Sequence, residues 1–405
     1  MKILYVTVVM RGLDDILAGE PDDHGLPSFI YPLKKLIEEG HIVKLLLLSS
    51  HNISINVKLD WLKNEDIVDN IIVNDFSIHS RVDKLVHKVK ATYKLYNDLV
   101  KELRTGNYDF VYCHGAATFL GNYLANRYGV RCGFRVYGTL YLFDEIKKYG
   151  VLRTCIKNPK DFLSYFARKE FILITDDGTF GNQVVNKMRL WKKYPIYFWK
   201  NGVEKEVNYS GIDFESLPLE DFIFTAGRIN RVKSQNRVID VLFALHKRGI
   251  KLSLYIAGNI ATEDRGYYES LINQIQKYGL QKYVHFLGEI SRVKMQAMAS
   301  SAIATLLFSD CSNLGNVFFE CAIAKSLIIT YDEEDMWEYI ISGENGYLVK
   351  DHKDAVDVVM KLLSMPDEEL KDLKERLYRS VYDNLLGWDV RCEKEIALIT
   401  SGRCD

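Results

Sequence analysis

A chain of 405 residues, 48% hydrophobic, is too long for one core of ordinary size and points to two domains of roughly 200 residues each. That composition excludes disordered and fibrous classes, and the seven cysteines (Cys113, Cys132, Cys155, Cys311, Cys321, Cys392, Cys404) are odd in number and never in C-x-x-C spacing, which argues against a disulfide framework and a structural zinc and fits a reducing cytoplasm. The net charge of -1 hides an asymmetry: residues 1–205 hold 30 Lys+Arg against 23 Asp+Glu, and the remainder 23 against 31, so the two halves face different partners or different sides of one ligand.

The N-terminal stretch MKILYVTVV carries one lysine and is followed at once by Arg11, Asp14 and Asp15, which makes it a poor signal peptide and a good first strand. No segment approaches the ~20 apolar residues that a bilayer-spanning helix requires. Strand-like runs then alternate with helical patterns: KILYVTV (2–8), HIVKLLLL (41–48), FVYCHG (110–115), GFRVYG (133–138) and FILITD (171–176) in the first half. FIFTAG (222–227), KLSLYIAG (251–258), VHFLG (284–288), AIATLLF (302–308) and LIITYD (327–332) follow in the second. Such alternation is the pattern of parallel sheets covered by helices, and it predicts an α/β chain with two doubly wound, Rossmann-like domains in series. The polar, turn-rich NGVEKEVNYSGIDFESLPLE is expected to be the linker, giving domains over 1–200 and 221–385, a linker over 201–220 and a C-terminal helical segment over 386–405 that crosses back to the first domain.

Ligands of open α/β sheets sit beyond the carboxyl ends of the strands, where helix N-termini favour anions. In AGRINRVKS (226–234), Gly227, Arg228 and Lys233 follow the first strand of the second domain, and two cations around one turn suit a diphosphate; solvated surface charge is the plain alternative. IAGNIATED (256–264) and FLGEISR (286–292) end strands with Gly258 and Gly288, which serve either a close-lying ligand or simple turn chemistry. SDCSNLGNVFFECAIAK (309–325) has small and amide side chains around Gly315, so its N–H groups can close on phosphate where the helix containing Glu320 begins. Glu320 shares a face with Val317, Cys321 and Ala324. A carboxylate there needs partners, either vicinal ribose hydroxyls or a cation on a neighbouring helix.

The order of these elements, G-R-x4-K, a strand ending A-G, V-x-F-L-G and a Gly loop leading to Glu320, resembles the family 4 retaining glycosyltransferases of the GT-B fold, the glycosyl transferases group 1, along nearly the whole chain. HGLPSFIYPLKKLIEEGHIV (24–43) is similar to the family's Gly-containing loop and first helix, and YFWKNGVEKE (197–206) to its interdomain segment. The resemblance implies two domains facing a central cleft, acceptor on the N-terminal side and donor on the C-terminal side. It implies donor contacts from Gly227, Gly258, Gly288, Glu289, Ser312, Asn313, Gly315, Asn316 and Glu320, catalysis by Arg228, Lys233 and Tyr137, and acceptor-side roles for His24, Gly25 and His114.

Two positions depart from the family. Most members carry two acids eight residues apart, the first touching the donor sugar, and here the position eight before Glu320 is Ser312. The implied donor pocket therefore has Ser312 or Asn313 in place of a carboxylate. Many members have histidine before the glycine of RVYGTLY (135–141), where this chain has Tyr137, an aromatic that either serves the site or packs in the core and that does not titrate near neutrality. Asp176 and Asp177 of TDDGTFGNQ are read as caps of the following helix. No D-x-D triplet occurs, so no cofactor or metal is expected, and cationic side chains and helix dipoles neutralise the leaving group. The resemblance implies transfer of a sugar from a nucleoside diphosphate sugar to a glycan, glycolipid or other hydroxyl acceptor with retention. A nucleotide-sugar epimerase of the same architecture and a catalytically silent nucleotide-sugar-binding subunit stay open. The partners expected are donor, acceptor and an anionic membrane surface, with nucleic acid not indicated. The location expected is cytoplasmic, peripheral on the inner membrane face through the basic amphipathic stretches 81–104 and 147–169; ordinary helices packed on the first sheet are the alternative.

Overall fold

The computed structural model describes residues 1–8, 13, 16, 26–48, 67–68, 81–214, 217–261 and 264–402. The chain divides into two compact units, Met1–Asn201 with Trp388–Asp405, and Gly202–Gly387.

In the first unit β1 (Lys2–Val8), β2 (Ile42–Leu48), β3 (Ile67–Val68), β4 (Phe110–His114), β5 (Arg131–Val136), β6 (Phe171–Thr175) and β7 (Ile196–Trp199) stand in the order β3-β2-β1-β4-β5-β6-β7. All pairings are parallel. A parallel sheet has both faces covered, which is why its strands read as unbroken apolar runs. Leu4, Val6, Val111, Phe134 and Ile172 pack on one side with helices that include Phe119–Arg127 and Gly181–Met188. On the other side Tyr5, Tyr112 and Leu173 pack under the helices Pro27–Glu38 and Trp388–Ser401. The C-terminal helix is fastened there by a buried carboxylate. Glu395 accepts from the Tyr112 hydroxyl at 2.8 Å and from Arg391 Nη1 at 3.1 Å, and its Oε1 lies 3.6 Å from Nε of the fully buried Arg135.

The second unit repeats the plan with β8 (Phe222–Ala226), β9 (Ser253–Ala257), β10 (Val284–Gly288), β11 (Ala304–Leu307), β12 (Ile328–Tyr331) and β13 (Tyr347–Val349), all parallel, in the order β10-β9-β8-β11-β12-β13. Its faces are covered by the helices Gln235–Lys247, Arg265–Tyr278 and Asp354–Leu363 on one side, and by Arg292–Ser301, Asn316–Ile323 and Asp367–Asn384 on the other. In each sheet the order of connection reverses once, between β1 and β4 and between β8 and β11. Doubly wound folds hold their ligands at such points.

Three strands were not expected from the sequence. β3, β7 and β13 are two to four residues long, too short to show a period. The stretch 201–220 is not a free-standing linker: from Gly202 onward it belongs to the second unit, with Val203 and Leu217 buried in that unit's core and the Val203 N–H donating to Leu386 O at 3.1 Å. The C-terminal segment joins the first unit from Trp388, two residues later than expected. The helix Arg81–Thr105 buries Leu95, Leu99 and Leu103, while Val89, Tyr93 and Tyr96 of the expected apolar face are exposed. Both sets repeat at helical spacing, and only one stripe of a helix can face a sheet.

Candidate functional site

The loops after β8, β11 and β12 leave adjacent strands at the carboxyl edge of the second sheet, and hydrogen bonds tie them together. After β8 the backbone passes Gly227 at φ +134°, and a single 3-10 turn, Arg231–Lys233, is capped by the Asn230 side chain accepting from Lys233 N–H at 3.0 Å. Ser234 is buried in the left-handed region and donates to Asp310 of the next loop at 2.9 Å. Asp310 also pairs with Arg237 at 2.6 Å, and its N–H donates to Val232 O at 2.7 Å. The turn that bears Arg228 and Lys233 is thereby held against the loop after β11. Arg228 is exposed, and its side chain makes no ion pair among the described residues.

The loop after β11 is closed by its own amides. Asn313 is buried; its Oδ1 accepts from Ser309 N–H at 2.7 Å and its Nδ2 donates to Glu333 Oε2 at 3.0 Å. Ser312 Oγ donates to Asp335 Oδ2 at 2.7 Å and accepts from Leu314 N–H at 3.1 Å. Gly315 is the N-cap of the helix Asn316–Ile323 with no side chain closing it, and no atom lies within 4 Å of where its Cβ would stand. Backbone N–H groups at that helix start are suited to an anion, next to the loop of Arg228 and Lys233.

Ser312 and Asn313, expected to stand in for the sugar-facing acid, are engaged by Asp335 and Glu333. Glu320 has a cationic partner on a neighbouring helix: Arg292 Nε lies 3.5 Å from Glu320 Oε1, and Arg292 Nη1 3.7 Å from Glu204. Burial nonetheless outweighs Arg292 and, with Glu204, pushes the Glu320 carboxyl up to about 7. The strand-end glycines pack on each other. Gly227 N–H donates to Ala257 O at 3.0 Å and Gly258 N–H to Gly288 O at 2.8 Å, and a Cβ on Gly258 would run into the Gly227 carbonyl oxygen. Glu289 is exposed and accepts from Asn259 Nδ2 at 3.3 Å, and Asn316 begins the helix after Gly315.

In the first unit His114 ends β4, beside the reversal between β1 and β4. It is buried, stacks on Tyr5 at 4.8 Å, and its Nδ1 lies 2.7 Å from the Tyr137 hydroxyl; its Nε2 has no hydrogen-bond partner among the described residues. Burial and the Arg135 charge hold its pKa well below the usual range, so the imidazole is neutral. Tyr137 is thus paired with a polar group and also lies 4.7 Å from the Arg135 guanidinium. Asp177 does not cap the helix Gly181–Met188, whose N-cap is Phe180. It instead accepts from the N–H and hydroxyl of Thr179 at 3.1 and 2.6 Å, and burial raises its pKa to about 6. His24 and Gly25 lie outside the described residues.

Asp310, Arg292, Glu333 and Asp335 were not singled out from the sequence. The rule that placed Gly227 and Gly315 applied to YDEEDM (331–336) as well, since four acids there directly follow β12. Among the described residues no group of three or more His, Cys, Asp or Glu could hold a metal ion, and no helix is long and apolar enough to cross a membrane.

Residues 214–380 match the family model "Glycosyl transferases group 1". Solved structures of the same fold include sucrose-phosphate synthase from Thermosynechococcus elongatus, 16% identical over 98% of both chains with a TM-score of 0.71. They also include HepE of Anabaena in complex with UDP and glucose, 12% identical over 100% of both chains at 0.67, and a glycosyltransferase from Rickettsia africae, 13% identical over 99% of this chain and 98% of that one at 0.66. No curated protein matches the chain in sequence.

Proposed function

From the match of residues 214–380 to the glycosyl transferases group 1 and the GT-B fold of the chain, we propose that the protein is a retaining glycosyltransferase of the family 4 type, moving a sugar from a nucleoside diphosphate sugar to an acceptor hydroxyl. The observation that carries this reading is local. Two cations, Arg228 and Lys233, and an uncapped helix start at Gly315 meet at the reversal point of the second sheet, which is an arrangement for a diphosphate. Glu320, on the same helix, takes the ribose hydroxyls, whose hydrogen bonds together with Arg292 favour its ionised form.

In this reading the bond from the anomeric carbon to the diphosphate breaks while the acceptor oxygen bonds to the same face, and the acceptor proton passes to the departing phosphate oxygen. No side chain needs to act as nucleophile. Arg228, Lys233 and the helix N-terminus stabilise the charge that develops on the diphosphate, so metal is not required. The first unit takes the acceptor, with Tyr137 and His114 at its polar centre. The exposed Leu152 and Ile156, 75% and 73% accessible amid Lys147, Lys148, Arg153 and Lys157, support contact with an anionic membrane or a lipid-linked acceptor.

The test is calorimetric binding of UDP, GDP and ADP, followed by nucleoside diphosphate release from the matching sugar donor with EDTA present. UDP comes first because HepE binds it. Binding of one nucleotide and slow, EDTA-resistant release that depends on Arg228 are expected. A protein that binds none of the three, or whose release requires added magnesium, refutes the proposal in its first or second part.

A further inference from the structure

Ser312 and Asn313 are both spent on the protein itself: one hydroxyl proton goes to Asp335, one amide to Glu333, and the remaining Asn313 oxygen to Ser309 N–H. The feature these bonds hold is a carboxylate at the carboxyl end of β12. Asn313 holds the Glu333 carboxylate through its Nδ2, at 3.0 Å from Oε2, and through its backbone N–H, two donors for a group that can accept about four. Glu333 is partly exposed; the loop after β11, which carries the helix start, stands on the strand next to β12, and the loop after β8, which carries the two cations, on the strand beyond it. Its tether is rigid, because Asn313 is buried and fixed at both ends of its amide.

We propose that Glu333 is the specificity-determining residue for the transferred sugar, its carboxylate accepting hydrogen bonds from sugar hydroxyls at the positions Asn313 leaves open, while Ser312 and Asn313 act as positioning residues that orient the loop and the carboxylate. The proposal rests on the donor site described above and adds the contact that site lacks. Cations meet the diphosphate and the helix start meets its oxygens, but a hexose presents several O–H donors, for which an oriented carboxylate is the strongest acceptor a protein offers. Burial, with the neighbouring Asp335 and Asp310 charges, holds the Glu333 carboxyl up at about 7, and hydrogen-bond donors brought to it favour its ionised form.

The experiment separates sugar from nucleotide. Dissociation constants of UDP and UDP-glucose, GDP and GDP-mannose, and ADP and ADP-glucose are measured for the wild type and for Glu333→Gln, a variant whose amide oxygen still accepts from Asn313. For the pair that binds, the free nucleotide should bind the variant within about twofold of wild type, while the nucleotide sugar should weaken about tenfold or more, the loss of a charge-assisted bond. Equal weakening of both ligands overturns the proposal and leaves Glu333 as a loop support. An unchanged ratio also overturns it, with the donor site intact. A wild-type protein that binds none of the nucleotides removes the donor site and this inference with it.

Discussion

Replacing Glu395 by alanine should loosen the C-terminal helix from the first unit at a cost that follows from its contacts. The carboxylate is 1% exposed, accepts from Tyr112 and Arg391 at 2.8 and 3.1 Å, and faces Arg135 at 3.6 Å. Alanine would leave the buried Tyr112 hydroxyl without its acceptor, about 1–3 kcal/mol, and two buried guanidinium groups without a counter-charge, about 3–5 kcal/mol. The two costs overlap, because one carboxylate serves all three partners, and the cations keep some bonds: Arg391 Nε to Lys200 O at 3.0 Å and Arg135 Nη1 to Val136 O at 2.7 Å. A net loss of about 4 kcal/mol is expected. Urea unfolding of the first unit, followed by tryptophan fluorescence, should then shift by more than about 1 M, given slopes of about 1–3 kcal/mol per molar urea. Trp199 is a local reporter, since the Arg391 guanidinium lies 4.9 Å from its ring. Nucleotide binding to the second unit is followed separately, as two units need not unfold together. A triple replacement of Arg135, Arg391 and Glu395 by methionine removes the charges together and should lose far less than the single variant. A shift below about 1 kcal/mol for Glu395→Ala, or a triple variant as weak as the single one, would refute the account of an isolated buried charge cluster.

Arg228→Ala and Lys233→Ala should each lower turnover about a hundredfold with the melting temperature unchanged, since charge-assisted contacts to a leaving diphosphate are worth about 2–4 kcal/mol in the transition state; wild-type kinetics in both would remove these residues from the site. Glu320 and Glu333 hold their protons to about 7, above the ordinary 4.5. The folded form therefore binds protons that the unfolded chain has released, and the stability this contributes is present below pH 4.5 and lost as pH rises through 7. Between pH 5 and pH 8 the fall in stability of the second unit should be smaller in Glu320→Gln and in Glu333→Gln than in wild type, and identical slopes in thermal melts would contradict the raised values. Phosphatidylglycerol vesicles should retain the protein at low salt and lose it as salt is raised, with Leu152→Ser plus Ile156→Ser weakening the retention; a wild type that does not sediment with them has no membrane face.

The strands of both sheets were largely legible, because a parallel sheet buried on two faces writes itself as apolar runs, and β1 and β10 begin and end where the runs do. The same cause hid β7 and β13, whose few apolar residues have no length in which to show a pattern. At the site, what could be read was what is local in sequence: a glycine that turns the chain after a strand, two cations around one turn, a glycine before a helix. Partners that meet through space could not be read. Asp310 holds Ser234 across 76 residues, Ser312 meets Asp335 across 23, and Glu395 meets Tyr112 across 283.

Ser312 shows why this matters for function. Compared position by position, a serine where a carboxylate is usual is a loss, and the natural expectation is a neutral pocket. The fold changes the question from which residue occupies a position to which group reaches the place. Because β11 and β12 are neighbours in the sheet, the loop after β12 brings Glu333 and Asp335 within hydrogen-bond distance of the two residues expected to replace the acid. The small and amide side chains at 312 and 313 then have a reason of their own. A carboxylate at 312 would meet Asp335 at the 2.7 Å contact that the serine hydroxyl now makes as a donor, and two ionised acids at that distance repel. Serine at 312 and the acid at 335 are compatible as a pair. Ser312→Glu, the substitution that would restore the usual acid, should therefore weaken donor binding and should recover only when Asp335→Ser is added; recovery without the second change would mean that the two positions do not meet.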